Sequence, residues 1–155
     1  STADEPAGEE PPPATILEAL AIARRRWGGS ILFGDAVDDQ AAALSAEAGP
    51  PEKVLRYLDV LAELAATRAA GALGGTVPTW LKERGVNASI ESETIRNSRD
   101  AMKRRTFPIN GEPTPFELHA KPNDGVSPDQ CVRIYFDVQE TAPHVRIGYI
   151  GRHFE

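Results

Sequence analysis

The sequence predicts an α+β fold, with an N-terminal Ala-rich helical bundle followed by a three- or four-stranded antiparallel sheet packed against helices. Two observations lead to this prediction. Apolar residues recur at helical spacing through the first half of the chain. From Phe116 to His153, β-branched and aromatic residues alternate with polar ones. We expect residues 1–14 to be a disordered acidic and proline-rich tail, residues 15–88 to be helical, and residues 89–155 to add a helix and the sheet in one compact unit.

Composition narrows the class of protein. The single cysteine, Cys131, excludes an internal disulfide and is compatible with a reducing compartment. No apolar run approaches the about 18 residues of a membrane span, and no leader pattern opens the chain, so we expect a cytoplasmic protein without membrane contact. The net charge of −6 falls within residues 1–75, and residues 76–155 are balanced. The total charge therefore does not exclude a nucleic-acid partner.

The first helix is predicted from Thr15, which forms a capping box with Glu18, to Gly28. Ser30–Phe33 is either a short strand or a buried connector. Val37, Ala41, Leu44 and Ala48 then predict a second helix that ends at Gly49.

The longest predicted helix runs from Pro51 to Leu73. Val54, Leu58, Leu61 and Ala65 form one apolar stripe along it. Such a stripe is typical of a core helix. The alternative is that it binds a protein partner or a second copy of the chain, because small residues near its end permit close approach of another helix.

A strongly basic helix is predicted next. It begins at a cap, either Ser89 or Ser92, and runs to about Arg105, directly before the sheet. It carries five cations within ten residues, namely Arg96, Arg99, Lys103, Arg104 and Arg105. We interpret its basic face either as a solvated surface or as an anion-binding surface.

A hairpin is predicted where Asn110-Gly111 favours a type I′ turn, with flanking prolines that confine it to a sheet edge. Three strands follow, and each offers one apolar and one polar face. In the last strand Val145, Ile147 and Tyr149 are expected on the apolar side, and Phe116 is expected on that side of the first strand. The polar face is predicted to carry His119, Lys121, Arg133, Tyr135, His144 and Arg146.

This polar face is the candidate site. Arginine binds phosphate with two parallel hydrogen bonds, and histidine transfers protons near neutral pH. The alternative is that an antiparallel sheet with one wet face simply displays polar residues. Phosphate binding predicts that Arg133, Arg146 and His153 converge in one pocket beside the basic helix, with Arg152 following the last strand.

No cofactor and no metal ion are expected. His119, His144 and His153 lack the neighbouring carboxylates or cysteines that metal sites require. The phosphate-binding, dinucleotide, zinc-protease and serine-hydrolase motifs are also missing from the sequence.

Two resemblances can be stated from these segments. The series SETIRN, PFELHAKP, CVRIYFD and VRIGYIGRHF resembles the ending of a group of uncharacterised bacterial proteins with Ala-rich helical first halves. The layout of helices before a small antiparallel sheet with a Gly-Tyr-Ile-Gly-Arg-His ending is similar to RelE/ParE-type toxins. That second resemblance implies a metal-independent, ribosome-dependent RNase whose functional residues would be Lys121, Arg133, Arg146, Tyr149 and His153, with Arg133, Tyr149 and His153 as the catalytic candidates.

The sequence thus favours a small binding module for nucleic acid or another phosphate-containing ligand, with a toxin-like RNase as its enzymatic form. A non-catalytic assembly protein that binds a partner or itself through its helical half is the alternative.

Overall fold

The computed structural model describes residues 11–139 and 142–154, so most of the predicted N-terminal tail lies outside the described residues. The helices are α1 (Ile16–Trp27), α2 (Val37–Ala42), α3 (Pro51–Ala69), α4 (Val77–Lys82), α5 (Glu93–Arg96) and α6 (Arg99–Lys103). The strands are β1 (Ile31–Phe33), β2 (Ala88–Ile90), β3 (Thr106–Ile109), β4 (Glu112–Pro115), β5 (Leu118–Ala120), β6 (Val132–Val138) and β7 (Val145–Arg152). Within this part of the chain, no helix is long and apolar enough to cross a bilayer.

The α+β class is confirmed, but the sheet differs from the predicted one. It has five strands in the order β1-β7-β6-β5-β2, and β1 pairs with β7 in parallel while the other pairs are antiparallel. Strands β3 and β4 form a separate two-stranded hairpin. The sheet is mixed because the Ser30–Phe33 segment is a strand that joins it from the helical half, and a three-residue strand gives little signal in a sequence.

Helices α1 and α3 and one face of the sheet enclose the main core. Helix α1 starts as predicted, because the Thr15 hydroxyl accepts a hydrogen bond from the Glu18 amide at 3.0 Å. The four stripe residues of α3 are fully or almost fully buried in this core. The stripe is therefore not an exposed surface. The predicted homodimer or partner contact through the helix at residues 51–73 stays a prediction, and it would have to use the exposed end of the helix at Ala66, Ala69 and Ala70.

The second predicted helix is shorter than expected. Helix α2 ends at Ala42, so Leu44 and Ala48 pack on the core from the connection that follows it. The side chain of Gln40 in α2 donates to Gly148 O at 3.4 Å and accepts from Ile150 N at 3.3 Å. Helix α2 is thus tied to strand β7.

The predicted basic helix from Ser89 or Ser92 to Arg105 is wrong in its extent. Ser89 lies in β2, and the remaining segment forms two short helices, α5 and α6, because Ser98 caps a new helix by accepting from the Ala101 amide at 3.2 Å. The cations of this segment consequently do not share one helical face.

The β3–β4 hairpin forms as predicted, but it is a separate two-stranded sheet and not an edge of the main sheet. Asn110 and Gly111 both have positive φ values, 50° and 82°, as a type I′ turn requires. The Asp35 carboxylate accepts hydrogen bonds from both turn amides, at 2.8 and 2.7 Å. This contact anchors the hairpin to the segment that follows β1.

A β-bulge in strand β7 changes which residues face the core. Tyr135 pairs with Tyr149, but the next residue, Phe136, pairs with Ile147, so Gly148 is the extra residue. Ile150 consequently faces the main core and Tyr149 faces the opposite side, which contradicts the predicted alternation for Tyr149. Phe116 also packs on that opposite side and not with the main core.

The second sheet face is not the wet polar surface that the sequence predicted. Ile109, Phe116 and Tyr135 form a second buried cluster there, against Phe107, Tyr149 and Phe154. The hairpin and the C-terminal residues therefore cover part of this face, and polar side chains line the rest.

Replacing Gly148 by alanine should destabilise the protein by about 2 kcal/mol, because overpacking a filled site costs about 1–3 kcal/mol. A Cβ at this position would overlap the Phe116 ring. Urea unfolding would measure the loss, with Gly74→Ala as the control because no atom lies within 4 Å of a Cβ there. Equal stability of the two variants would contradict the bulge geometry.

Candidate functional site

The candidate site lies on the second face of the sheet and is built from two neighbouring rows of cross-strand partners. Ser89, His119, Tyr135 and Tyr149 are successive partners across β2, β5, β6 and β7. Two positions away, Arg133 on β6 faces Gly151 on β7, where the Tyr149 ring occupies the space that a side chain would fill. Pairing of the sheet therefore places imidazole, phenol and guanidinium groups side by side.

A cavity of about 330 Å³ opens over these rows. Strands β5 and β6 form its floor, and the segments around α5 and α6 and the C-terminal residues form its walls. It is lined by Glu91, Ile95, Arg105, His119, Lys121, Asp124, Arg133, Tyr135, His153 and Phe154.

Glu91 is the centre of a buried polar network at one end of the cavity. Its carboxylate accepts a hydrogen bond from Arg105 Nε at 2.7 Å and another from the Tyr135 hydroxyl at 3.2 Å. Glu91 and Arg105 are 7% and 5% exposed, so this ion pair is shielded from water. Burial, with the nearby Glu91 carboxylate as a second cause, raises the pKa of Tyr135 well above its usual range. Tyr135 therefore stays protonated and donates to Glu91.

His119 lies between this network and the sheet edge. Its Nδ1 is 3.4 Å from Glu91 Oε2 without forming a hydrogen bond, and its Nε2 is 3.5 Å from the Ser89 hydroxyl. Burial, helped by the charges of Lys121 and the two arginines and opposed by Glu91, lowers the pKa of His119 from 6.5 to about 4.

The order Ser89, His119, Glu91 resembles that of a nucleophile, a base and an orienting acid. A histidine with a pKa near 4 is nevertheless a weak base at neutral pH. The Glu91 carboxylate is also already engaged by Arg105 and Tyr135. The arrangement therefore supports a neutral imidazole beside a bound ligand better than it supports an activated serine.

Arg133 is 3% exposed and enters the cavity from the sheet. Its Nη1 donates to Asn123 O at 2.8 Å and to Val132 O at 3.0 Å, and these backbone contacts fix the plane of the guanidinium. Its Nη2 donates to Asp124 Oδ1 at 3.1 Å. Nε–H has no hydrogen-bond partner among residues 11–139 and 142–154, and Nη2 has Asp124 as its one partner there. The Nε–Nη2 edge of a fixed guanidinium therefore carries one exposed carboxylate, and its Nε donor remains for a ligand.

Lys121 provides a second cation beside Arg133. Its backbone amide donates to Asn87 O at 2.8 Å, which holds the residue at the end of β5. In the described part of the chain its ammonium group forms no ion pair, although it lines the cavity. A half-buried lysine without a carboxylate partner attracts anions.

The structure brings together only some of the residues that the sequence proposed. Arg133 and His153 lie at the cavity, but Arg146 does not. The prediction that these three residues converge is therefore wrong for Arg146. Arg146 forms a bidentate ion pair with Asp137, at 3.0 and 2.5 Å. The proposed site residues that line the cavity are Arg105, His119, Lys121, Arg133 and His153. Those that do not line it are Arg96, Arg99, Lys103, Arg104, Arg146, Tyr149 and Arg152.

Tyr149, one of the three catalytic candidates, packs in the aromatic cluster. Its ring stacks on Phe107 with centroids 4.9 Å apart, and its hydroxyl donates to Arg152 O at 2.7 Å. Burial raises the pKa of Tyr149. This tyrosine therefore has a packing contact and a structural hydrogen bond and does not face the cavity.

Sequence reasoning missed both carboxylates of the site, Glu91 and Asp124. Glu91 lies between β2 and α5, and Asp124 follows Pro122 in a turn, where acidic residues are common and carry no special signal. Phe154, whose ring stacks on Tyr135 at 5.4 Å, was missed as well. Only the folded arrangement brings these residues to the cavity.

Other openings on the described surface offer less chemistry. A larger groove of about 550 Å³ runs along Pro78–Ala88, but Lys82 is its sole charged lining residue. Among the described residues, no group of three or more His, Cys, Asp or Glu side chains is placed to hold a metal ion. Charged groups that could act together on a ligand therefore converge at the cavity around Arg133.

The chain was also compared with protein-family models, with curated proteins and with solved structures. None of the three comparisons found a match. The two resemblances drawn from the sequence consequently stay predictions, and the chemistry of the cavity is the basis for proposing a function.

Proposed function

We propose that this protein binds a small phosphate-containing ligand, a phosphomonoester, in the cavity around Arg133. The supporting observation is that, among the residues that the structure describes, three cations (Arg105, Lys121 and Arg133) and two carboxylates line a cavity of about 330 Å³. Glu91 compensates Arg105 within the buried network, and Asp124 contacts Arg133 through one oxygen. Lys121 supplies the excess positive charge that an anion needs.

The ligand is expected to be small or to present a terminal phosphate. Arg133 is almost fully buried, so an internal phosphodiester could reach it only if the polynucleotide entered the cavity and left it again. Polynucleotide binding generally uses several exposed cations along one surface. Here the exposed cations Arg99, Lys103 and Arg104 lie outside the cavity. The geometry therefore favours a phosphomonoester over a nucleic-acid strand.

Binding without turnover is the form of the proposal that the site supports best. Cleavage of RNA without a metal needs a proton acceptor that is effective near neutral pH. The low pKa of His119 makes it a poor acceptor, and Tyr149 lies outside the cavity. A toxin-like ribonuclease would therefore depend on His153, which is half-buried at the cavity wall.

Replacing Lys121 by methionine should weaken binding of phenyl phosphate about ten-fold or more, since a hydrogen bond to a charged group contributes roughly 1.5–3 kcal/mol. Isothermal titration calorimetry would measure the change. Lys121 is half-buried at the end of a strand and methionine retains most of its apolar stem, so folding should be preserved.

Lys103→Met is the matched control, because Lys103 is exposed and does not line the cavity. It should leave the affinity for phenyl phosphate unchanged. A single-stranded RNA 12-mer, titrated at several salt concentrations, tests the competing ligand class. Tight, steeply salt-dependent RNA binding without any phenyl phosphate binding would replace the proposed function with nucleic-acid recognition.

A further inference from the structure

The Arg133–Asp124 ion pair differs from the other Arg–Asp pair of the same sheet. Arg146 and Asp137 form two parallel hydrogen bonds, and the Asp137 side chain is 23% exposed. Arg133 and Asp124 form one hydrogen bond, at 3.1 Å, and the Asp124 side chain is 67% exposed. In the Arg133–Asp124 pair the arginine is therefore buried, whereas the aspartate is largely exposed to solvent.

Asp124 lies where an incoming anion would bind. It lines the same cavity as Arg133 and places one carboxylate oxygen on Nη2, next to the Nε–H donor that is still available. A phosphate that uses Nε and Nη2 together, as Asp137 does on Arg146, would meet the Asp124 oxygen. Two anions cannot share this edge of the guanidinium without strong repulsion.

The loop that carries Asp124 is exposed, and Asp124 is not what orients Arg133. Residues 124–129 are exposed, while Asn123 holds the start of the loop by accepting from the Val132 amide at 2.8 Å and donating to Gln130 O at 3.0 Å. The contacts that orient Arg133 come from the backbone of Asn123 and Val132 and not from Asp124. Asp124 could therefore leave without disturbing the guanidinium.

We propose that Asp124 is an internal competitor of the ligand, which occupies the anion position on Arg133 in the free protein and is displaced when a phosphate binds. This inference rests on the proposed function of the cavity. With a competitor present, the apparent affinity equals the intrinsic affinity multiplied by the fraction of molecules in which the position is open. The Asp124 carboxylate thus sets how much phosphate is needed to fill the site.

Replacing Asp124 by asparagine should raise the affinity for inorganic phosphate roughly three- to ten-fold, in keeping with the modest strength of an ion pair whose carboxylate is exposed. Titration followed by ³¹P NMR would measure it. Asp129→Asn is the matched control, because Asp129 is exposed on the same loop, does not line the cavity, and changes the net charge equally. Asp124→Ser serves as a second variant if asparagine itself bonds to Arg133.

The measurements separate this inference from the proposed function. Absence of phosphate binding to both the wild type and Asp124→Asn would refute the proposed function. Binding to the wild type with no gain in either Asp124 variant, or an equal gain in Asp129→Asn, would refute competition alone.

A second anion identifies the mechanism of any gain. If Asp124 is a competitor, removing it by substitution raises the affinity for acetate and the affinity for phosphate by the same factor. Simple repulsion by Asp124 would instead favour the phosphate dianion. Equal factors support an internal competitor, and a gain confined to phosphate overturns it.

Discussion

Replacing Glu91 by glutamine should destabilise the protein by about 3–5 kcal/mol, the usual cost of removing one partner of a buried ion pair. Arg105 would lose the carboxylate that lies 2.7 Å from its Nε, at a position where only 5% of the residue is exposed. Glutamine keeps the shape and can still accept the hydrogen bond from Tyr135. Urea unfolding at neutral pH would measure the loss.

Two further variants test whether the loss of stability in Glu91→Gln comes from the buried charge of Arg105. Removing both charges with Glu91→Gln and Arg105→Met should restore part of the lost stability, because no buried cation then remains at this position. Asp137→Asn interrupts the more exposed pair with Arg146 and should cost about 1 kcal/mol or less. A loss in Glu91→Gln no larger than that in Asp137→Asn would show that the network does not hold the fold.

Acidification should destabilise the wild type more than His119→Gln. The folded protein holds the pKa of His119 near 4, whereas the unfolded chain takes up a proton near the ordinary value of 6.5. Between these two values the unfolded state binds more protons, so the free energy of unfolding falls as the pH falls from 6.5 to 4 and this contribution is constant outside that window. At 1.36 kcal/mol per pKa unit, the loss amounts to as much as about 3 kcal/mol.

Urea unfolding in steps between pH 7 and pH 4 would show this difference. His119→Gln should have a flatter profile than the wild type across the window. His144→Gln is the control, because His144 precedes β7 and does not line the cavity, and it should retain the wild-type slope. Identical slopes for all three proteins would mean that His119 is not buried in its neutral form.

Local features of this fold were predictable from the sequence. The Thr15 cap, the Asn110-Gly111 turn and the apolar alternation of β6 each depend on residues close together in the chain. The stripe of α3 was predicted as core for the same reason, since helical periodicity reports the buried face directly.

Features set by distant contacts were missed. Gly148 lies at the register shift of β7, and the Phe116 ring occupies the space where its side chain would lie. Nothing near Gly148 in the sequence indicates that ring. The pairing of Ile31–Phe33 with β7 likewise depends on a partner more than 100 residues away. The polar face was therefore assigned partly wrongly even though β5, β6 and β7 had been predicted as strands.

The candidate site follows the same division. Alternation along β5 and β6 predicted that His119, Arg133 and Tyr135 share a face, and the structure agrees. Whether each cation finds a carboxylate could not be predicted, because Asp137 reaches Arg146 across a strand pair and Glu91 reaches Arg105 from a separate segment. These pairings decide which cations are left for a ligand.

The most direct test of phosphate binding at this cavity is to map amide chemical shifts of the ¹⁵N-labelled protein during titration with phenyl phosphate. The shifts should concentrate at Lys121, Arg133 and Tyr135 and should saturate together with one affinity. Shifts confined to the Pro78–Ala88 groove, or to the exposed cations between Arg99 and Arg104, would place the ligand elsewhere and contradict the proposed site.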